Sequence, residues 1–519
     1  RRTCCATWES EESALGIPAM NLDWRLLSPE LILTLFAVVC LLVSVGARPH
    51  LTRAPEAATV AIVGSALALA AVLWIAFGEP LPDRPVGYAL AVDGLALFFK
   101  ALCILATLVV VAMSCGYDQP IANRGELYAL LLFAEVAMCL LCSANDAITL
   151  YLSLEFLSLV SYALAGLTKQ EPRSNEAAVK YFLFGAVSAG VMLYGLSLLY
   201  GLTGTTDLAG IASGLRATAS AVALPALVMV LAGLLFKVSG VPFHMWTPDV
   251  YQGAPLPVAA FLSVASKAAG FAVLCRVVMV AVPSTVHRWP ELLAFVAAAT
   301  MVVGNLSALK QTDIVRMLAF STVAQAGYVL MGVAALTAGE PPALAACMMY
   351  LLAYLVMNLG AFAAVIAAAR VVGTTEIADY RGLAYRAPWL AWTMVFFLLS
   401  LTGLPPTAGF IGKYFLFQAA IRADLVWLAV VAFLNSVVAA YYYFNVMRMM
   451  VFLQTEKTGS VPQSGMLRLA IFASLAGTLV MGVAPSLLID PAERSSRNVL
   501  HQRRAGLQVS RPDTSAPRR

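Results

Sequence analysis

The sequence predicts an all-α polytopic membrane protein of about fourteen transmembrane helices, with two inverted five-helix repeats inside it. Three observations carry that prediction. First, 61% of the 519 residues are hydrophobic and only 12% are charged, against about 45–50% and about 25% in a soluble domain. A water-soluble globule, a disordered chain and a nucleic-acid-binding chain are excluded together. Second, apolar runs approach the roughly 20 residues that a helix needs to cross a bilayer core, and they recur along the whole chain. Third, two proline-interrupted runs lie 164 residues apart.

Fourteen runs bounded by Pro, Gly and charge serve as spans. The first three, 29–47, 58–77 and 92–115, are closed by Arg48 and Pro49, by Gly78 to Pro80, and by Gly116 to Asp118. Runs 126–143 and 146–167 meet at Asn145, and 177–201 follows the polar stretch from Lys169 to Arg173. Run 221–243 ends in FKVSGVPFHMWTPD, with Pro242 and Pro248; run 256–282 stops at Pro283. Runs 290–309 and 314–336 flank Lys310, and 342–371 ends before Gly373. Run 388–418 contains SLTGLPPTAGFIGK with Pro405 and Pro406, and 425–453 and 466–489 complete the set.

These runs make one transmembrane domain, 29–489, after an N-terminal segment, 1–28. Residues 1–19 fit no signal-peptide pattern and read as an upstream extension, because Met20 opens MNLDWRLLSPE just before the first run. Residues 490–519 carry seven arginines and no apolar period, and are expected to be a disordered basic tail. The spacing from Pro242 to Pro406 equals that from Glu126 to Pro290. Runs four to eight (about 126–282) and nine to thirteen (about 290–453) are therefore predicted to repeat. Five is odd, so the second unit enters from the opposite side, the plan of many ion carriers.

Lys and Arg near the odd-numbered loops number 14, against 4 near the even-numbered ones. The positive-inside rule puts the odd loops in the cytoplasm and both termini outside. The arginines of the tail oppose this, but thirteen loops outweigh one terminus.

Ionisable groups within spans are the informative residues, since each costs about 2.5–3.5 kcal/mol near a bilayer centre and persists when it pairs, meets water or moves charge. Glu155, Lys237, Lys267 and Lys413 form the main set, with Lys100, Asp93 and Arg276 secondary. Lys237 and Lys413 lie beside the proline breaks, where freed backbone groups need water or side chains. Burial disfavours an ammonium and a nearby carboxylate favours it, so a lysine between the two can take and release a proton. Glu155 is the partner the first repeat is expected to offer Lys237. Lys100 and Arg276 are expected to snorkel toward an interface, and a static Glu155–Lys237 salt bridge is the bland alternative. His244, just past the break, is a candidate accessory group or a backbone cap. Tyr151, Tyr162 and Tyr181 read as packing residues.

No metal signature is present, because His50, His244, His287 and His501 are far apart and Cys139 and Cys142 have no second pair nearby. Neither a Walker-type nor a dinucleotide glycine motif occurs.

At the charged positions the sequence resembles a known family. FKVSGVPFHMWTPDVYQGAPLPVAAFLSVASKAAGFA (236–272) is similar to the antiporter-like membrane subunits of respiratory complex I. So are YLSLEFLSLVSYALAGL (151–167), GNLSALKQTDIVRMLAFSTVAQAGY (304–328), YLVMNLGAF (354–362), DYRGLAYRAP (379–388) and LSLTGLPPTAGFIGKYFLF (399–417). The wording FHMWTPDVYQGAP and Lys413 point to the N type, homologous to mitochondrial subunit 2. The likeness implies a proton-translocating subunit of NADH:quinone oxidoreductase in the cell inner (plasma) membrane. It further implies that Glu155 and Lys237 are the family's Glu–Lys pair, Lys267 its central lysine and Lys413 the lysine of the second half-channel. No cofactor is implied in this chain; NADH, FMN, iron–sulfur clusters and quinone belong to partner subunits, both membrane and peripheral. Val315 where relatives often have Lys, and Gln325 where they often have His, are departures. A subunit of a multisubunit cation/proton antiporter or of a membrane hydrogenase is the alternative.

Overall fold

A computed structural model describes residues 23–45, 54–78, 89–117, 124–217, 221–283, 286, 288–454, 464–487 and 489–496. The expected extension (1–19), the tail from 497 onward, and His50, His287 and His501 lie outside the described residues; 489–496 are helical. The helices are α1 (Ser28–Val45), α2 (Ala54–Phe77), α3 (Gly94–Ser114), α4 (Arg124–Ser143), α5 (Ala147–Ala165), α6 (Pro172–Thr203), α7 (Leu208–Ala217), α8 (Ala223–Val238) and α9 (Trp246–Gly253). They continue as α10 (Leu256–Val280), α11 (Trp289–Ala308), α12 (Ile314–Thr337), α13 (Pro342–Val372), α14 (Pro388–Thr402), α15 (Ala408–Arg422), α16 (Val426–Phe452) and α17 (Gly465–Val483).

Twelve of the described helices are long and apolar enough to cross a membrane. The other two crossings are broken ones, α8 with α9 and α14 with α15, which makes fourteen. Runs seven and twelve, expected as single interrupted spans, are thus each two helices. The short α7 was not expected: it lies between crossings and buries Leu208, Ile211, Ala212 and Leu215, one apolar stripe at helical spacing.

The repeat is written in the backbone. Asp146 caps α5 by accepting the amides of Ile148 and Thr149 at 2.8 and 3.3 Å, and Asp313 caps α12 by accepting those of Val315 and Arg316 at 2.8 and 2.9 Å. A side-chain oxygen at that position satisfies amides that have no partner within the helix. Each cap pairs with the segment after the next helix, Asp146 with Asp207 and Asp313 with Glu376. These matched bridges fall in an even-numbered and an odd-numbered loop, at opposite ends of the bundle, as an inverted repeat requires. The breaks match too: α8 ends at Ser239 (φ 60) and α14 at Gly403 (φ 94), both left-handed. Each break also holds a cis bond to proline, Val241–Pro242 and Pro405–Pro406.

In lipid no hydrophobic gain draws helices together, so close approach of small residues does much of the packing. Helix α10 is the clearest case: VAAFLSVASKAAGFA lets it sit at the centre, buried along nearly its whole length. A Cβ on Gly270 would come within 2.9 Å of Val238 Cγ1, so side chains at the end of α8 pack directly on the α10 backbone there. The outer helices α1, α2, α6, α16 and α17 instead leave large apolar side chains exposed, among them Leu42, Trp74, Val187, Tyr441 and Leu469.

Candidate proton relay

Lys237 occupies the last turn of α8, 1% exposed. Its Nζ donates to Ser158 Oγ on α5 at 3.4 Å. Glu155 lies one turn before Ser158 on the same helix and is half-buried. It makes no ion pair with Lys237 within 4.0 Å, although each charge lies in the other's electrostatic reach. The stem of Lys237 runs against Gly270, whose Cβ position is 3.2 Å from Lys237 Cγ. That is one turn of α10 from Lys267.

Lys267 is 2% exposed at the middle of α10, and its Nζ has no protein hydrogen-bond partner. It faces the ring of Tyr251 on α9 at 5.9 Å. His244, buried in the break between α8 and α9, is near enough to feel the Lys267 charge.

Lys413 on α15 is 4% exposed. Its Nζ donates to the carbonyls of Leu401 and Thr402 at 3.1 and 2.9 Å and to Ser436 Oγ at 3.5 Å, and lies 4.6 Å from the Tyr328 ring centroid. Those carbonyls end α14, where the break leaves them without helical partners. The ammonium takes the place of the missing amides.

Between Lys267 and Lys413 runs a polar stripe that the sequence analysis did not single out. Helix α13 presents Tyr350, Tyr354 and Asn358 four residues apart, hence on one face. Asn358 donates to Ser263 Oγ on α10 at 2.7 Å, one turn from Lys267. Tyr354 stacks beside Tyr350, whose hydroxyl donates to Gln325 Oε1. Gln325 Nε2 in turn donates to the Leu401 carbonyl at 3.1 Å. The readable signal was the Tyr-x-x-x-Tyr-x-x-x-Asn spacing in an apolar run. Around Lys413, Tyr328, Ser436, Asn305, Asn435 and Tyr442 form a second buried network.

On the odd-loop face a cavity of about 920 Å³ opens between the repeats, lined by Glu171, Arg173, Gln252, Asp313 and Glu376 among others. Beside it Asp249 receives Lys180 at 2.8 Å and Arg316 at 2.7 Å.

The secondary charges differ from expectation. Lys100 and Arg276 do not snorkel: both are buried, Lys100 against Glu30 at 2.6 Å and Arg276 bidentate on Asp93 at 2.8 and 2.9 Å. In each case a carboxylate from another stretch of the chain holds the cation inside the bundle. Glu135 was overlooked as a central carboxylate of the first repeat; it is fully buried on α4 and accepts Ser65 Oγ at 2.8 Å. Tyr181 stacks on Trp246 at 4.2 Å and meets Tyr162 edge-on, as packing residues do. Among the described residues no group of three or more His, Cys, Asp or Glu is arranged to hold a metal.

Residues 144–439 match the family described as NADH:quinone oxidoreductase/Mrp antiporter, transmembrane. A protein of Trichlorobacter lovleyi named NADH-quinone oxidoreductase subunit N is 40% identical over 92% of this chain and 97% of its own length. Its namesake in Desulfovibrio desulfuricans is 42% identical over 90% and 95%. A chain of respiratory complex I from Thermus thermophilus superposes with a TM-score of 0.75 at 36% identity, covering 89% of this chain and 98% of that one. A chain of the Mrp complex from Dietzia, 24% identical with a TM-score of 0.76, shares the fold. With three buried lysines and a half-buried glutamate set along a twice-broken inverted repeat, and relatives of this closeness over nearly its whole length, the chain belongs to the NADH:quinone oxidoreductase/Mrp antiporter family of membrane subunits.

Proposed function

We propose that this chain is a proton-translocating membrane subunit of NADH:quinone oxidoreductase, in which Lys237, Lys267 and Lys413 relay the proton and Glu155 sets the charge state of Lys237. Electron transfer from NADH to quinone takes place in partner subunits, which hold the FMN and iron–sulfur clusters. The membrane is the cell inner membrane, with the odd-numbered loops in the cytoplasm and both termini outside. The proton enters from the odd-loop cavity, passes Lys237 and Lys267, and leaves past Lys413.

One observation carries this reading: the stripe of Asn358, Tyr354, Tyr350 and Gln325 spans the gap between the turn of Lys267 and the carbonyl that Lys413 holds. The hydroxyls and amides of this stripe can each both donate and accept, which is what passing a proton along a line requires. Glu155 acts by distance. Because it stands beyond contact with Lys237, a shift of α5 against α8 changes how strongly the carboxylate favours the ammonium, and so when Lys237 releases its proton.

The test is proton transport by the assembled complex in sealed vesicles, read beside NADH:quinone activity. Lys267→Ala and Lys237→Ala are expected to lower the protons moved per NADH oxidised while the complex still assembles. Unchanged pumping by both would defeat the reading. The cation/proton antiporter alternative predicts co-purification with small hydrophobic subunits only, without flavin- or iron–sulfur-bearing partners.

A further inference from the structure

We propose that Tyr251 is the plug and Asp249 the latch of a gate that separates the odd-loop cavity from Lys267. This rests on the proton-relay reading and adds to it the point at which access from the odd-loop face is controlled.

One wall of the cavity of about 920 Å³ is formed by Gln252, Gly253, Ala254, Pro255 and Leu256, the join between α9 and α10. Tyr251 comes next in the chain. It is fully buried, and its ring faces the unpartnered ammonium of Lys267 at 5.9 Å. Tyr251 thus precedes a cavity-lining residue in the chain and faces the central lysine with its ring, which is where a gate on a water file from the cavity to Lys267 would act.

Helix α9 carries that ring and is held at both ends. Inward, Trp246 Nε1 donates to the Phe236 carbonyl at 3.2 Å and Thr247 Oγ1 to Ser239 Oγ at 2.9 Å, tying α9 to the end of α8. Outward, Asp249 is gripped from two repeats at once: by Lys180 of α6 in repeat one and Arg316 of α12 in repeat two. Arg316 also donates to Gln252 Oε1 at 3.0 Å. Lys180 in turn is shared with Glu176 at 2.7 Å. A smaller cavity of about 190 Å³ surrounds this triad and shares Arg173, Gln252 and Gly253 with the larger one.

Lys180 and Arg316 each already hold a second partner, Glu176 at 2.7 Å and Gln311 at 3.3 Å, so both stay paired if they let go of Asp249. When they do, α9 loses its outward tie and keeps only the inward one. The ring of Tyr251 can then swing and admit water. Because the latch joins α6 to α12, any relative motion of the two repeats acts on it directly. Position 249 plus the repeat spacing of 164 residues is Lys413, so the two repeats use the same place past their breaks differently, one for a latch and the other for a relay lysine.

The experiment measures access, with pumping as a second readout. A Lys267→Cys complex in vesicles with the odd-loop face outward is treated with a small membrane-impermeant maleimide. Labelling is expected to be slow with Asp249 present, several-fold faster with Asp249→Asn or Tyr251→Ala, and slow again with Asp249→Glu. In the chain with Lys267 intact, Asp249→Asn is expected to lower the protons moved per NADH oxidised while Asp249→Glu restores them. Equal labelling rates with and without the latch, or faster labelling with Asp249→Glu as well, would overturn the gate. If Lys267→Ala fails to lower pumping, the relay itself has failed; if it lowers pumping but latch variants change neither readout, only the gate has.

Discussion

Lys413 and Gln325 donate to the same oxygen, the Leu401 carbonyl, each at 3.1 Å. One is a charge on the half-helix after the break, the other an amide on α12, and the carbonyl belongs to the half-helix before it. The break thus converts a helix end into the junction where the central stripe meets the second lysine. Gln325→Leu removes that junction and leaves the Tyr350 hydroxyl buried without its acceptor, a cost of about 1–3 kcal/mol. The expected outcome is an assembled complex with a slightly lower melting temperature and clearly reduced pumping. Gln325→His, which can accept and donate, is expected to recover most of the pumping.

The relay requires Lys237 to lose its proton as well as to hold it. Arginine is always charged, so Lys237→Arg keeps the charge and removes the release. Loss of a positioned acid–base group slows a proton step by about 10²-fold or more. Lys237→Arg is therefore expected to assemble and to oxidise NADH with an uncoupler present, while pumping falls as far as in Lys237→Ala. Pumping at the parental level would mean that Lys237 serves by its charge alone.

Arg276 and Asp93 make a buried bidentate pair that also braces the α4 end, since Arg276 donates to the Cys142 carbonyl at 3.2 Å. Removing one partner of such a pair strands the other, at about 3–5 kcal/mol. Arg276→Met and Asp93→Leu are each expected to cut the amount of assembled complex sharply. The double variant is expected to recover much of it, which gel analysis of detergent-solubilised membranes would read directly.

Most of the frame was legible because lipid leaves few alternatives: apolar runs had to be helices, and Pro242 and Pro406 had to interrupt them. The central lysines were legible for the same reason, as charges where charge is costly. Tyr350, Tyr354 and Asn358 look like ordinary members of an apolar run until α13 is seen to turn all three toward α10 and α12. Lys100 and Arg276 were expected at an interface because sequence gives no sign that Glu30 and Asp93, on distant stretches of chain, come within 3 Å. The α7 helix was missed because ten residues are too few to register as a span.

Glu135 supplies the last prediction. It is fully buried on α4, where one oxygen accepts the Ser65 hydroxyl and the other has no hydrogen-bond partner among the described residues. A lone carboxylate without compensating partners is far too costly in such a place, whereas an uncharged group that accepts one hydrogen bond is not. Glutamine has the same shape and the same acceptor. Glu135→Gln is therefore expected to assemble and melt as the parent does, within about 1 kcal/mol. Glu135→Ala leaves Ser65 unpaired and opens a cavity, and is expected to cost about 2–4 kcal/mol. Thermal denaturation of the purified complex separates the two, and equal loss in both would mean that Glu135 stands there as an ion.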